Sequence, residues 1–220
     1  MMVVRIWSTV LLCSFLLVGH AAAEPMVVNG DFEGENNFNV WPGYIGTDNP
    51  ANIPGWTAVE GGQGLNPIAA AHDTPAPFRD NGDNASTVAF LQGTASMSQA
   101  ISGFTVGADY LLSFDFNSRN CCGDVPTATV SFDGNVIASS SDLFEGGGIA
   151  SVGDANPWYH ADVPFTATAE TMTLAFATAP LAGGDSTLIV DNIAIVPEPS
   201  SCALLLMGLA GLAGSLRRRK

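Results

Sequence analysis

Through the middle of the chain, apolar residues come in short runs that alternate with polar ones and end at Gly, Asn, Asp, Ser or Pro. Leu112, Phe114 and Phe116 recur at every second position, with Ser113 and Asp115 between them. That is the period of a strand with one buried face, because successive side chains on a strand point to opposite sides. No helical period is sustained between the two ends of the chain. The runs predict strands over 26–32, 56–59, 86–91, 96–101, 110–117, 127–132, 136–140, 158–165, 171–177 and 186–196. Asp133-Gly134 lies between two of them and predicts a tight hairpin. Segments 60–85 and 143–156 read as loops, the first carrying Asp80-Asn81-Gly82-Asp83-Asn84 as a solvated turn. Short strands without crossover helices predict an all-β domain, a jelly-roll-like β-sandwich.

The two ends break this pattern. Residues 1–23 have a cation at Arg5, an apolar run from Ile6 to Val18 and the small residues Ala21-Ala22-Ala23, which predicts a secretory signal peptide cleaved after Ala23. At the other end come Pro197-Glu198-Pro199, an uncharged stretch over 200–216, then Arg217, Arg218, Arg219 and Lys220. The 17 residues of 200–216 make about 25 Å of helix at ~1.5 Å per residue, against a hydrocarbon core of ~30 Å. Local thinning and snorkelling of the flanking arginines close that gap. Pro197 and Pro199 hold the preceding segment extended, and the terminal cations place the C-terminus inside and the body outside. The expected organisation is a signal peptide over 1–23, a β-sandwich over 24–196 and a tail over 197–220 with one transmembrane helix near 200–216. This order of motif, helix and basic terminus resembles the PEP-CTERM sorting tail of Gram-negative bacteria. The resemblance implies handling by an exosortase-type membrane protease that cuts near Pro-Glu-Pro, and delivery of the body to the cell surface or extracellular polysaccharide.

The body of 173 residues suits one domain with a full core. Arg79 and Arg119 are its only Lys or Arg, against 20 Asp and Glu (all but Glu198), a balance of −18. Such a field repels nucleic acid and anionic lipid and attracts divalent cations, so no nucleic-acid partner is expected and neutral or cation-bridged glycans fit better than polyanionic ones. Cys121 and Cys122 are the only cysteines left once the two ends are set aside. Export permits a vicinal disulfide, a link to another chain, or free thiols. Without a second pair or a neighbouring His they do not make a zinc site.

Within the body, Val28-Asn29-Gly30-Asp31-Phe32-Glu33, Ile53-Pro54-Gly55-Trp56, Ser98-Gln99-Ala100-Ile101, 110–117 and Leu188-Ile189-Val190-Asp191-Asn192-Ile193 resemble galactose-binding-like jelly-roll domains, among them many carbohydrate-binding modules. The resemblance implies a non-catalytic sugar-binding or matrix role, often with a structural calcium. In those domains the ends of the first and last strands meet at the cation, which implies Glu33 and Asp191 as ligands. Alternation also places Asp191 on one face with Ile189, Ile193 and Ile195. A carboxylate on that stripe must be paired, capped by backbone N–H groups or bound to a cation.

Aromatic rings stack on the C–H faces of sugars, and Trp41, Tyr44 and Tyr159 are the candidate platforms. Trp158 and Tyr159 are neighbours on a strand, so one faces the core and the other solvent, while Trp56 reads as a core anchor. His72 and His160 stand in unlike contexts, and no nucleophile elbow, metalloprotease motif or phosphate loop is present. No enzyme is expected. The reading is an exported glycan-binding module; the alternative is a structural matrix or adhesion protein acting through its acidic surface and calcium bridging.

Overall fold

The computed structural model describes residues 24–34, 53–59, 62–66, 86–120, 123–152, 157–182 and 184–198. Residues 1–23, Trp41, Tyr44, Arg79, Cys121, Cys122, Pro199, the segment 200–216, Arg217, Arg218, Arg219 and Lys220 lie outside the described residues. Among the described residues no helix is long and apolar enough to cross a membrane.

The domain is a sandwich of two antiparallel five-stranded sheets. One has the order β1 (Thr57–Val59), β4 (Ala95–Ser102), β9 (Thr171–Ala182), β6 (Val125–Phe132), β7 (Asn135–Ser139). The other has the order β2 (Gly62–Asn66), β3 (Val88–Gln92), β10 (Leu188–Pro197), β5 (Asp109–Ser118), β8 (Tyr159–Thr166). Alternation delivers the core as expected: Tyr110, Leu112, Phe114 and Phe116 of β5 face Met172, Leu174 and Phe176 of β9 across the gap. Phe114 meets Phe176 edge-on at 5.1 Å between ring centres, and Phe32, Trp56 and Phe176 form a second contact chain. Each fully buried ring of this kind contributes about 1.5–3 kcal/mol. Trp56 is the core anchor its position implied.

The Asp133-Gly134 hairpin joins β6 to β7, with φ of 48° and 79° at the two turn residues, both positive as its type requires. Asp133 Oδ1 also accepts from Thr173 N–H at 2.8 Å, which ties the turn to β9. Two elements form where none was expected. β2 forms inside the predicted loop 60–85, and a single helical turn, α1 (Ser140–Leu143), follows β7 with a capping box in which Asp142 Oδ2 accepts from Ser139 N–H.

The predicted first strand over 26–32 does not form. Asn29 and Phe32 take φ of 51° and 54°, which no strand tolerates. The Gln99 side chain holds this segment instead of a ladder. Its Oε1 accepts from Val28 N–H at 2.8 Å, and its Nε2 donates to Val28 O at 2.9 Å and Gly55 O at 2.8 Å. The segment is also pressed onto β10: Ile193 N–H donates to Gly30 O at 2.9 Å, and a Cβ at Gly30 would lie 2.1 Å from Ile193 O. Only glycine permits that approach.

Arg119 is spent on the fold. Its guanidinium, 11% exposed, pairs with Asp124 at 3.0 Å and Asp185 at 2.9 Å, at the base of the β5–β6 connection. Asp124 is fully buried and accepts as well from Thr187 N–H. Gln99→Leu removes three hydrogen bonds at a buried position and leaves backbone groups unpaired, at a cost of about 1–3 kcal/mol. Thermal unfolding of the full chain should show a fall of several degrees, at about 2–4 °C per kcal/mol for a chain of this size; an unaltered midpoint would show that the amide does not staple the segment.

Candidate functional site

The last strand carries an extra residue. Asp191 pairs with Asp115 and Ala194 with Ser113, so Asn192 and Ile193 together oppose Phe114 alone. Asn192 takes φ of 53° to make this bulge. Leu188 and Val190 point into the core before it, and Ile193 and Ile195 point into the core after it. The expectation that Ile189, Asp191, Ile193 and Ile195 share a face is therefore corrected. Ile189 and Asp191 lie on the outer face of the sheet, because the bulge reverses the phase.

That outer face holds a small apolar cluster of Val88, Phe90 and Ile189, with Trp158 packed against it. Trp158 is half-buried, and its indole N–H has no hydrogen-bond partner among the described residues. Tyr159 turns the other way, its ring against Phe116 at 5.4 Å and Phe144 at 5.0 Å on the core side. Of the neighbouring pair, Trp158 lies on the outer face of the sheet, and Tyr159, an expected platform, lies on the core side.

Beside Trp158 the register of β5 and β8 sets Asp115 opposite His160 and Ser113 opposite Asp162. His160 Nδ1 lies 2.7 Å from Asp115 Oδ1, and its Nε2 lies 3.3 Å from Asp162 Oδ1 and 3.4 Å from Ser113 Oγ. Asn192 Nδ2 donates to Asp115 Oδ2 at 2.8 Å, so the bulge residue orients the carboxylate. The hydrogen bond to Asp115, aided by the charges of Asp115 and Asp162, outweighs partial burial and raises the imidazole above its ordinary 6.5. The Ser–His–Asp order resembles a hydrolase relay, but the chemistry points elsewhere. A relay needs a neutral imidazole nitrogen to take the serine proton, and Asp162 favours a proton on that nitrogen. The arrangement instead sets two carboxylates, an imidazole and an amide side by side on the outer face, with both donors and acceptors of hydrogen bonds.

Glu33 and Asp191 both reach the dipeptide Ser86-Thr87. Glu33 Oε1 accepts from Thr87 N–H at 2.6 Å, and its Oε2 lies 3.5 Å from the Thr87 hydroxyl. Asp191, fully buried, accepts from the Ser86 hydroxyl and, at 2.8 Å, from Asn192 N–H. Two carboxylates far apart in sequence thus reach neighbouring residues with two hydroxyls, an all-oxygen set of the kind calcium takes. Among the described residues no group of three or more His, Cys, Asp or Glu could hold a metal. A cation here would rest on these two carboxylates and neutral oxygens. Between the sheets, an apolar cavity of about 20 Å³ lined by Phe114, Phe116, Val130 and Phe176 has room for little more than one water. It is not a ligand site.

Residues 196–220 match the PEP-CTERM protein-sorting motif. No curated protein matches the chain. Among solved structures, the sandwich is similar to a cyclase from Fischerella sp. TAU in complex with 4-(1H-indol-3-yl)butan-2-one, at 16% identity over 80% of this chain and 98% of that one, TM-score 0.52. It also matches the CBM22-1–GH10 modules of Clostridium thermocellum xylanase 10B complexed with xylohexaose, at 14% identity over 81% of this chain and 30% of that one, TM-score 0.45. A CBM4 structure matches at 12% identity over 78% of this chain and 99% of that one, TM-score 0.38. At such identities the cyclase likeness bears on the fold alone. The class is an exported two-sheet β-sandwich that ends in a PEP-CTERM sorting motif and is sorted across the membrane to the cell surface.

The imidazole supplies a test of this geometry. In a proton NMR titration of the full chain, the His160 midpoint should lie above 6.5 and fall on Asp115→Asn. Because the folded value is raised, the stabilisation it brings is complete below the unfolded value and lost as pH rises through the folded one. A midpoint at or below 6.5 would show that Asp115 does not hold the ring.

Proposed function

We propose that this exported protein is a non-catalytic glycan-binding module, with its ligand on the outer face of the β2-β3-β10-β5-β8 sheet. Trp158 supplies the stacking platform; Asp115, His160, Asp162 and Asn192 supply hydrogen bonds to sugar hydroxyls. The observation that carries this reading is the half-buried Trp158 beside the solvated row of Asp115, His160 and Asp162 on one open face. Paired donors and acceptors next to an aromatic ring suit a neutral pyranose, whose hydroxyls present both and whose C–H face is apolar. The acidic body disfavours polyanionic polymers. Trp41 and Tyr44 remain candidate platforms for the same ligand. The sorting motif supports an exosortase-type protease as processing partner and, in a Gram-negative host, extracellular polysaccharide as the setting.

Affinity electrophoresis of the full chain through neutral polysaccharides tests the binding face. Trp158→Ala should weaken retardation by about 2 kcal/mol, near thirtyfold, as truncating an aromatic anchor does. Asp162→Ala, on the solvated part of the face, should weaken it with unchanged melting, whereas Asn192→Ala, at a φ of 53°, should weaken it and lower the melting temperature as well. Retardation indifferent to all three would overturn this face, and calcium-driven self-association without sugar dependence would favour the matrix role.

Glu33 and Asp191 are proposed as the carboxylates of a structural calcium at Ser86-Thr87, where the ion would neutralise the buried Asp191 beside the exposed Glu33. Calcium at a hundred times its Kd should raise stability by about 2.7 kcal/mol. Asp191→Asn should abolish that increment; a melting temperature equal in calcium and chelator would rule the cation out.

A further inference from the structure

The sorting motif does not hang from the domain on a linker; it begins inside the sheet. β10 runs to Pro197, whose register partner is Tyr110, and Glu198 N–H donates to Asp109 O at 3.1 Å. Two of the three residues of Pro197-Glu198-Pro199 are therefore held against β5. Extended peptides are captured by pairing their backbone with a groove or sheet edge, and a segment already paired in its own sheet cannot lie in a protease cleft at the same time. Resting on the reading that the tail is removed by a sorting protease, we propose that the folded domain gates its own processing. A cut near the motif proceeds through a state in which the end of β10 has peeled from β5 as far as Ile195.

The burial pattern marks where peeling stops. Ile193 and Ile195 are buried in the core, whereas Val196 is 46% exposed and Pro197 and Glu198 are exposed. Opening 196–198 breaks the pairings of Val196 with Leu111 and of Pro197 with Tyr110, and releases the Glu198 amide, yet it takes no buried residue out of the core. Pro197 has no N–H to give to the ladder, which weakens this end further. β10 pairs with β3 only over Leu188–Val190, so that neighbour does not hold the end. β5 is the fixed partner. Tyr110 sits at 5.2 Å from Phe104 and 5.8 Å from Phe165, and its hydroxyl accepts from Thr105 N–H at 2.9 Å. The opened form thus keeps the sandwich whole, and a cut there releases a folded domain.

Tail loss is followed by pulse-chase of the full chain in its own host, unchanged and with a Gly-Ser spacer of about six residues inserted between Val196 and Pro197. The spacer should speed tail loss about fivefold, equivalent to roughly 1 kcal/mol of strand-end opening. Equal rates, with the tail still removed, overturn the gate and leave the sorting reading standing. No tail loss in either chain overturns the sorting reading, and the gate with it. Hydrogen exchange on the detergent-solubilised full chain gives a readout without the protease. The Glu198 amide should be protected in the unchanged chain and unprotected with the spacer, and free exchange in the unchanged chain also overturns the gate.

Discussion

One extra residue in β10 sets the phase on which the outer face depends. Without the bulge at Asn192, strict alternation would put Ile193 and Ile195 on the solvent side, and the core would lose two anchors beside Leu112 and Phe114. With it, both halves of the strand face inward, and the residues at the bulge are left to do polar work on the other side. Asp191 is drawn to Ser86, and Asn192 reaches across to Asp115. The left-handed backbone of Asn192 carries a local cost that its side-chain hydrogen bond helps to offset. Packing on one side and the polar row on the other are thus consequences of the same insertion.

The domain has few cations, and among the described residues its one arginine is largely buried, 11% exposed at the side chain. Arg119 lies in the interior, where Asp124 would otherwise be a buried charge without a counter-ion. Removing one partner of such a pair commonly costs about 3–5 kcal/mol. His160 takes the opposite position, 55% exposed at the side chain between Asp115 and Asp162. When protonated, its ring offsets the mutual repulsion of the two carboxylates, and their charges favour that protonation. The chain therefore keeps a hydrogen-bonding face on a surface whose net charge would otherwise only repel.

Much of the sandwich was legible because strand signals are local. The alternation of Leu112, Phe114 and Phe116 and the Asp133-Gly134 turn needed no knowledge of neighbours. The sorting tail is contiguous in sequence and was readable for the same reason. β2 was missed because Gly62-Gln63-Gly64 has loop composition, and its strand state comes from pairing with β3. The strand over 26–32 was over-read: Val27, Val28 and Phe32 look like a run, but their backbone is bent and held by Gln99, a residue far off in sequence. The polar face was the least legible part. Ser113, Asp115, His160 and Asp162 become a cluster only through the β5–β8 register, and Asn192 joins them only through the bulge. Neither register nor bulge is written in any short segment.

The β5–β10 pair links face and tail directly. Asp115 and Asn192 sit midway along it, and Tyr110 and Pro197 close its end, so the strand that shapes the polar row also leads into the sorting motif. No flexible spacer separates them among the described residues. The position of the face relative to Pro197 and Glu198 is therefore fixed by a hydrogen-bonded ladder, not by a tether of variable length. Face and motif therefore share one rigid strand pair as far as Glu198, and under the proposed gate they part only when the last residues of β10 come away from β5.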